Sequence, residues 1–147
     1  MENRININEL EPATYKALFA LSLQIENSKL CKTHKELIKI RASQINGCAF
    51  CINMHTAEAR RHGETEQRIY LLNAWKEIKG IYTEEERIIL ALTEEMTLIA
   101  HTGVTTKTYQ RATALFDENY LALLMMSIIT INAWNRLALA TQLQPTS

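Results

Sequence analysis

Residues that interrupt helices are scarce in this sequence. Of its 147 residues, only 4 are glycine and 2 are proline. These two residues supply most of the turns in β-rich proteins, so their scarcity favours long helices over a fold with many short strands. The length fits one domain spanning residues 1–147, which is enough to bury a hydrophobic core.

The sequence also lacks an excess of either charge and a long hydrophobic run. Sixteen basic residues balance sixteen acidic ones, so no nucleic-acid or membrane-surface partner is expected. The longest apolar run, residues 121–126, is shorter than the ~18 residues that a membrane span needs. Residues 1–10 contain no apolar signal-peptide core, which favours a cytoplasmic location.

Cysteine occurs three times, too seldom for the disulfide framework of a small secreted protein. Two of the three, Cys48 and Cys51, form a Cys-x-x-Cys motif. In a cytosolic protein this spacing indicates redox or metal chemistry.

Apolar residues recur with helical period along almost the whole chain, and no alternating strand pattern of useful length is present. The sequence therefore predicts an all-α fold, a bundle of about six to seven helices. The predicted helices cover residues 9–26, 35–45, 48–63, 66–78, 84–100, about 106–116 and about 118–143.

Several predicted helices carry end signals. Thr33 with Glu36 and Thr83 with Glu86 match the capping box that begins a helix. Pro12 is tolerable in a first turn, and Gly47 suits the left-handed residue that follows a helix end.

The Cys-x-x-Cys motif falls in the first turn of the predicted third helix. Free N–H groups and the helix dipole favour an anion there, so a thiolate is stabilised. A spacing of three residues puts the sulfurs of Cys48 and Cys51 on one face, where a disulfide can close.

His55 and Glu36 complete a candidate catalytic site. His55 lies four residues after Cys51 on the same helical face, so its imidazole can take the thiol proton or pair with the thiolate. If the helices on either side of residues 46–47 are antiparallel, Glu36 lies alongside His55. A carboxylate in that position fixes the imidazole tautomer and raises its basicity.

These residues support attack of a thiolate on a peroxide oxygen. The resulting sulfenic acid condenses with the second thiol to a disulfide. The dipole alone favours Cys48 as the attacking thiol, but pairing with His55 is more specific and favours Cys51. Cys48 is then the proton donor and the resolving thiol, and no cofactor or metal is needed.

Two other interpretations remain open. Zinc could bind Cys48, Cys51 and His55 with a fourth ligand from Cys31, Glu36 or His62, although the second ligand pair of such sites is absent. The chain could also be a non-catalytic helical oligomer. Outside the site, we expect Cys31 to be a buried apolar residue, and His34 and His101 to lie at helix ends.

The segment from Glu36 through Cys48, Cys51 and His55 to Gly63 resembles the alkylhydroperoxidase D-like branch of the carboxymuconolactone decarboxylase family. The resemblance implies an all-helical homo-oligomer, commonly a trimer or hexamer. It also implies an oxidoreductase, a thiol peroxidase or disulfide reductase, that consumes a hydroperoxide and is regenerated by a thiol or dithiol reductant.

The resemblance also assigns roles to the residues of this chain that match the family's site. The resemblance implies that Cys51 forms the sulfenic acid, that Cys48 is the proton donor and resolving thiol, and that Glu36 and His55 form a proton relay. One departure is Phe50, because the best-characterised alkylhydroperoxidase D proteins carry histidine there. Decarboxylase members lack the cysteine pair, so decarboxylation is not expected.

The predicted last helix is apolar around almost its whole circumference, which indicates burial on all sides. A chain this short rarely encloses a helix alone, so we expect a subunit interface. Asn132, Asn135 and Arg136 are expected to form hydrogen bonds in the core or across that interface.

Overall fold

A computed structural model describes residues 4–145, and between them it contains helices and no β-strand. The predicted all-helical fold is therefore confirmed. In chain order the helices are α1 (Ile7–Leu10), α2 (Pro12–Glu26), α3 (Lys32–Asn46), α4 (Ala49–Arg61), α5 (Glu66–Tyr70), a 3₁₀ turn (Leu72–Ala74), α6 (Glu84–Thr97), α7 (Ile99–Thr102), α8 (Thr106–Leu115) and α9 (Glu118–Thr141).

Three predicted helices are shorter or divided in the structure. The first breaks at Glu11, whose φ of −130° is not helical, because Pro12 starts a new helix and restricts the residue before it. The fourth begins after Thr65 as predicted but ends at Tyr70, and the fifth ends at Thr97.

One of the two predicted capping boxes is confirmed. The Thr83 side chain accepts the Glu86 N–H at 3.1 Å, and the Glu86 carboxylate accepts the Thr83 N–H at 2.8 Å. The prediction at Thr33 is wrong. Helix α3 begins at Lys32 with Cys31 as its N-cap, so Thr33 lies inside the first turn, and the N-cap has no side-chain hydrogen bond.

Helix α3 lies at the centre of the fold and contacts α4, α6 and α9. Buried aliphatic residues of α3, α6 and α9, among them Ile38, Leu92 and Leu124, form one hydrophobic cluster. A second cluster surrounds Leu72 and Trp75, under the segment that follows α4. Burial on two sides makes α3 a fixed support for the residues that it presents to α4.

The long helix α9 is sufficiently long and apolar to cross a membrane, with a mean hydropathy of 1.3 in its most apolar window. Half of that window is buried inside the fold, as in the core helix of a globular protein. Its contacts with α2, α3, α4 and α6 account for its apolar composition by packing.

Candidate active site

The chain reverses direction between α3 and α4 at Gly47, whose φ of 70° is left-handed and suits glycine. Cys48 is the N-cap of α4, and its sulfur accepts the Cys51 N–H at 3.3 Å. The two cysteines are joined in a disulfide with Cα atoms 5.4 Å apart. The predicted pairing of Cys48 with Cys51 is confirmed.

Asparagines of α9 hold this corner in place. The Asn46 side-chain amide donates to the Oδ1 atoms of both Asn132 and Asn135, each at 2.9 Å. Asn135 is fully buried and donates to Ser43 Oγ at 3.0 Å. The expectation that the two α9 asparagines form hydrogen bonds in the core is confirmed, and the bonds tie α9 to the turn preceding Cys48.

Glu36 and His55 lie side by side across the α3–α4 interface, as the sequence predicted. His55 Nδ1 is 3.8 Å from Glu36 Oε2, and both side chains are at least nine-tenths buried. That separation exceeds the ~3.2 Å of a hydrogen bond, and neither atom has a hydrogen-bond partner among the described residues.

Burial controls the protonation of both groups. It lowers the pKa of His55 from 6.5 to about 4, an effect that the Lys39 charge reinforces and the Glu26 charge opposes. The imidazole is therefore neutral at pH 7 and has a lone pair that can accept a proton. Its basicity is lowered, however, so the expectation that Glu36 raises it was wrong. Burial also raises the pKa of Glu36, although Lys39 acts in the opposite direction.

Sequence reasoning missed three charged residues beside this pair. Lys39 Nζ bonds Glu36 Oε1 and Glu26 Oε2, both at 3.1 Å, and Glu58 Oε2 lies 3.8 Å from His55 Nδ1. Burial alone would lower the pKa of Lys39, but the Glu36 and Glu26 carboxylates raise it. Lys39 and Glu58 could have been found from their spacing, because each lies three residues after Glu36 or His55 and residues three apart are neighbours on a helix.

A cavity of about 390 Å³ leads to the disulfide. Cys51 and His55 line it, together with Glu26, Lys39 and Glu58 at one end. The remaining walls are mostly apolar and come from α2, α4 and α9, with Tyr15, Phe19, Leu23, Phe50, Met54, Ile131, Trp134 and Leu137 among them. Cys48 is not among the lining residues, so Cys51 is the cysteine that faces the cavity.

Cys31 is exposed, and the expectation that it is buried was wrong. It precedes α3 at the surface, where its N–H donates to the Tyr120 hydroxyl at 3.0 Å. His34 is buried in the first turn of α3, with Nδ1 2.8 Å from the same hydroxyl. Among the described residues, the group with metal-ligand spacing contains Glu36, His55 and Glu58 and no cysteine.

Fold and site together define a class, that of helical proteins with a Cys-x-x-Cys pair at a helix start beside a buried glutamate and histidine. The chain belongs to the carboxymuconolactone decarboxylase family, whose model matches residues 12–94. This range runs from α2 to α6 and includes both cysteines, Glu36 and His55.

Similar proteins support the alkylhydroperoxidase D-like branch of that family. The uncharacterized protein YdfG of Bacillus subtilis is 44% identical over 140 residues, which cover 95% of each chain. A structure of ATU0492 from Agrobacterium tumefaciens, a protein of unknown function associated by name with the antioxidant defence protein AhpD, aligns with a TM-score of 0.94 and 38% identity over 99% of both chains.

The similarity to named enzymes is narrower. The alkyl hydroperoxide reductase AhpD of Hyphomonas neptunium is 42% identical, but only over 45 residues, which are 31% of this chain and 25% of that protein. The debrominase Bmp8 shares the fold, with a TM-score of 0.83 at 18% identity over 95% of this chain and 74% of that one. The similarity to Bmp8 therefore concerns the fold alone.

Proposed function

We propose that this protein is a thiol-dependent peroxidase that reduces organic hydroperoxides through Cys51 and is regenerated by a dithiol reductant. The observation that carries the proposal is that Cys51 lines the cavity together with the neutral His55 and is disulfide-bonded to Cys48. A cytoplasmic location fits a reaction that depends on cellular thiol reductants.

The proposed reaction has three balanced steps. The Cys51 thiol gives its proton to His55, and the thiolate attacks the terminal peroxide oxygen, which breaks the O–O bond and yields a sulfenic acid and an alkoxide. The alkoxide takes the proton of Cys48 and leaves as the alcohol. The Cys48 thiolate then attacks the Cys51 sulfur, forming the disulfide and expelling hydroxide, which takes the proton held by His55 and leaves as water. Two electrons and two protons from the dithiol restore both thiols.

The shape of the cavity supports an organic substrate. Its walls are mostly apolar, and Phe50 adds an aromatic side chain where the best-characterised relatives carry a histidine. Apolar walls bind a hydrocarbon group by removing its surface from water, at about 25 cal/mol per Å². Hydrogen peroxide has no such group and would gain nothing from these walls.

Trapping the first oxidation product tests the proposal. In a Cys31→Ser background, the Cys48→Ser variant is treated with one equivalent of cumene hydroperoxide and a sulfenic-acid reagent, then mapped by mass spectrometry. We expect the label on Cys51, with no turnover because the resolving thiol is missing. The matched Cys51→Ser variant should not react. A label on Cys48 in that variant, formed equally fast, would contradict the assignment.

A pH profile tests the proton relay. The rate of Cys51 alkylation, measured from pH 5 to 10 in the Cys31→Ser, Cys48→Ser background, reports its thiolate fraction. Replacing His55 by Gln should move the midpoint towards the ~8.5 of a free thiol, and Glu36→Gln should do so less. The double change should add little, because members of one relay are not additive. An unchanged profile in His55→Gln would contradict the relay, and the thiolate would then be stabilised by the N-terminus of α4 alone.

A further inference from the structure

Glu58 forms a three-residue cluster with Glu36 and His55, and it is the one member that has no part in the proposed thiol chemistry. Glu58 Oε2 and Glu36 Oε2 each lie 3.8 Å from His55 Nδ1, and all three atoms fall within 4.8 Å of one another. Two of these atoms, His55 Nδ1 and Glu36 Oε2, are buried and have no hydrogen-bond partner among the described residues. Unpaired buried polar atoms are costly, so two of them in one cluster point to a bound ligand.

The spacing suits a cation better than a proton. A distance of 3.8 Å is too long for a hydrogen bond between the two groups. A tetrahedral zinc ion with bonds of about 2.1 Å holds neighbouring ligand atoms about 3.4 Å apart. Small side-chain movements would therefore bring the imidazole nitrogen and the two carboxylate oxygens onto one ion.

The local charges agree with such a ligand. Lys39 pairs with the carboxylates of Glu26 and Glu36, and Lys35 donates to the Glu26 backbone carbonyl. The Glu58 carboxylate lies beside His55, so these three acids and two lysines leave one negative charge in excess. Lys39 occupies Glu36 Oε1 and leaves Oε2 free. His55 Nδ1 likewise has no hydrogen-bond partner among the described residues, and an imidazole nitrogen is a common ligand of transition metals.

We propose that Glu36, His55 and Glu58 form a binding site for a divalent first-row transition metal such as zinc. One nitrogen and two carboxylate oxygens favour these ions over Mg²⁺ and Ca²⁺, which prefer oxygen alone. Three protein ligands leave a fourth position for water. Glu58 and His55 line the cavity, which provides the entry path.

The site has a regulatory consequence, which rests on the proposed peroxidase function. A metal bound to His55 Nδ1 and Glu36 Oε2 would prevent these two atoms from closing to the hydrogen-bond distance that the proposed relay needs. Metal binding therefore inhibits formation of the Cys51 thiolate. Chelation restores the relay, since neither cysteine is altered.

Calorimetric titration with zinc tests the site independently of any peroxidase activity. The protein is used in its disulfide form with Cys31→Ser, so that no thiol can bind the metal. We expect one equivalent of zinc to bind, with affinity weakened about tenfold or more by Glu58→Gln or His55→Gln. Glu77→Gln is the matched control, because this glutamate is exposed and distant in sequence from the cluster. Equal binding by parent and Glu58→Gln, or no binding at 100 micromolar zinc, would overturn the proposal.

A second measurement separates the site from its regulatory effect. Peroxide consumption by the reduced parent should fall when zinc is added and recover with chelator, and each variant is compared with itself without metal. If zinc binds the disulfide form at Glu58 but leaves peroxide consumption unchanged, the regulatory effect is wrong and the site stands. If no peroxide is consumed under any condition, the proposed function fails, whereas the calorimetric result is unaffected.

Discussion

At the scale of single residues, His55 links the chemistry of the site to the stability of the fold. Its pKa is 6.5 in an unfolded chain and about 4 in the folded protein. Between these two values the unfolded state binds more protons, so acidification favours unfolding. The contribution of His55 is fully present above pH 6.5 and is lost as the pH falls towards 4.

A depression of this size corresponds to about 3 kcal/mol. The raised pKa of Glu36 acts in the opposite direction, since it favours the folded state at lower pH. His55→Gln has no such group. As the pH falls from 6.5 to 4, we therefore expect the unfolding free energy of the wild type to fall by up to about 3 kcal/mol relative to that of His55→Gln. Urea unfolding of the disulfide form at several pH values measures it, and a constant difference would contradict the low pKa.

The residues of the site differ in how well the sequence predicts them. Glu36 and His55 could be placed together because Gly47 ends one helix and antiparallel packing then fixes the register of the next. Lys39 and Glu58 were not predicted, because a charged residue at a spacing of three is usually solvent-exposed. Only tertiary packing shows that Lys39 is half-buried between two carboxylates.

At the scale of secondary-structure elements, Thr33 and Thr83 have the same local pattern and different roles. Thr83 caps α6 through a hydrogen bond to the Glu86 N–H. Thr33 lies inside the first turn of α3, and no side chain caps that helix. We therefore expect Thr83→Ala to lower the unfolding free energy by about 1 kcal/mol and Thr33→Ala to change it by less than about 0.5 kcal/mol.

Denaturant unfolding of the two variants under identical conditions measures this difference. Both replacements remove the same atoms from a helix start, so the comparison isolates the cap. Equal losses of stability would show that the Thr83 bond contributes nothing in solution.

The helix N-termini show how far capping patterns in the sequence predict where a helix begins. Thr65, Thr83, Thr105 and Asp117 each accept a backbone N–H at a helix start, and these are residue types that favour the N-cap position. The prediction failed at α3, where Cys31 begins the helix without a side-chain bond. Packing of α3 on three neighbouring helices extends it beyond the point that the capping pattern indicates.

At the scale of the whole molecule, the all-helical fold follows from periodicity and the scarcity of glycine and proline, whereas the role of α9 does not. A helix that is apolar all round fits a membrane, a monomer core or a subunit interface. The structure shows that one side packs on α2, α3, α4 and α6. Whether another subunit covers the opposite side depends on the oligomeric state.

The outer side of α9 carries a continuous stripe of mostly apolar residues with alternating spacings of four and three, Ala122, Met126, Ile129, Ala133, Arg136 and Ala140. Met126 and Ile129 are 37% and 47% exposed. Such spacing is the seam along which two helices pack. The chain also exposes 8860 Å², compared with the ~7,700 Å² expected of a compact monomer of this mass.

We therefore expect a homo-oligomer that packs through this stripe, with a trimer or hexamer as the form that the family resemblance implies. Replacing Ile129 by Glu places a charge in the interface and should yield monomers, because a buried unpaired charge is strongly unfavourable. Tyr70→Glu is the matched control, since Tyr70 is 69% exposed on α5, away from the stripe. Light scattering after size exclusion measures the mass, and a wild-type mass of 16.9 kDa at micromolar concentration would contradict the assembly. A multimer that survives Ile129→Glu would instead place its interface on another exposed apolar surface, such as that of Phe19 and Leu23 on α2.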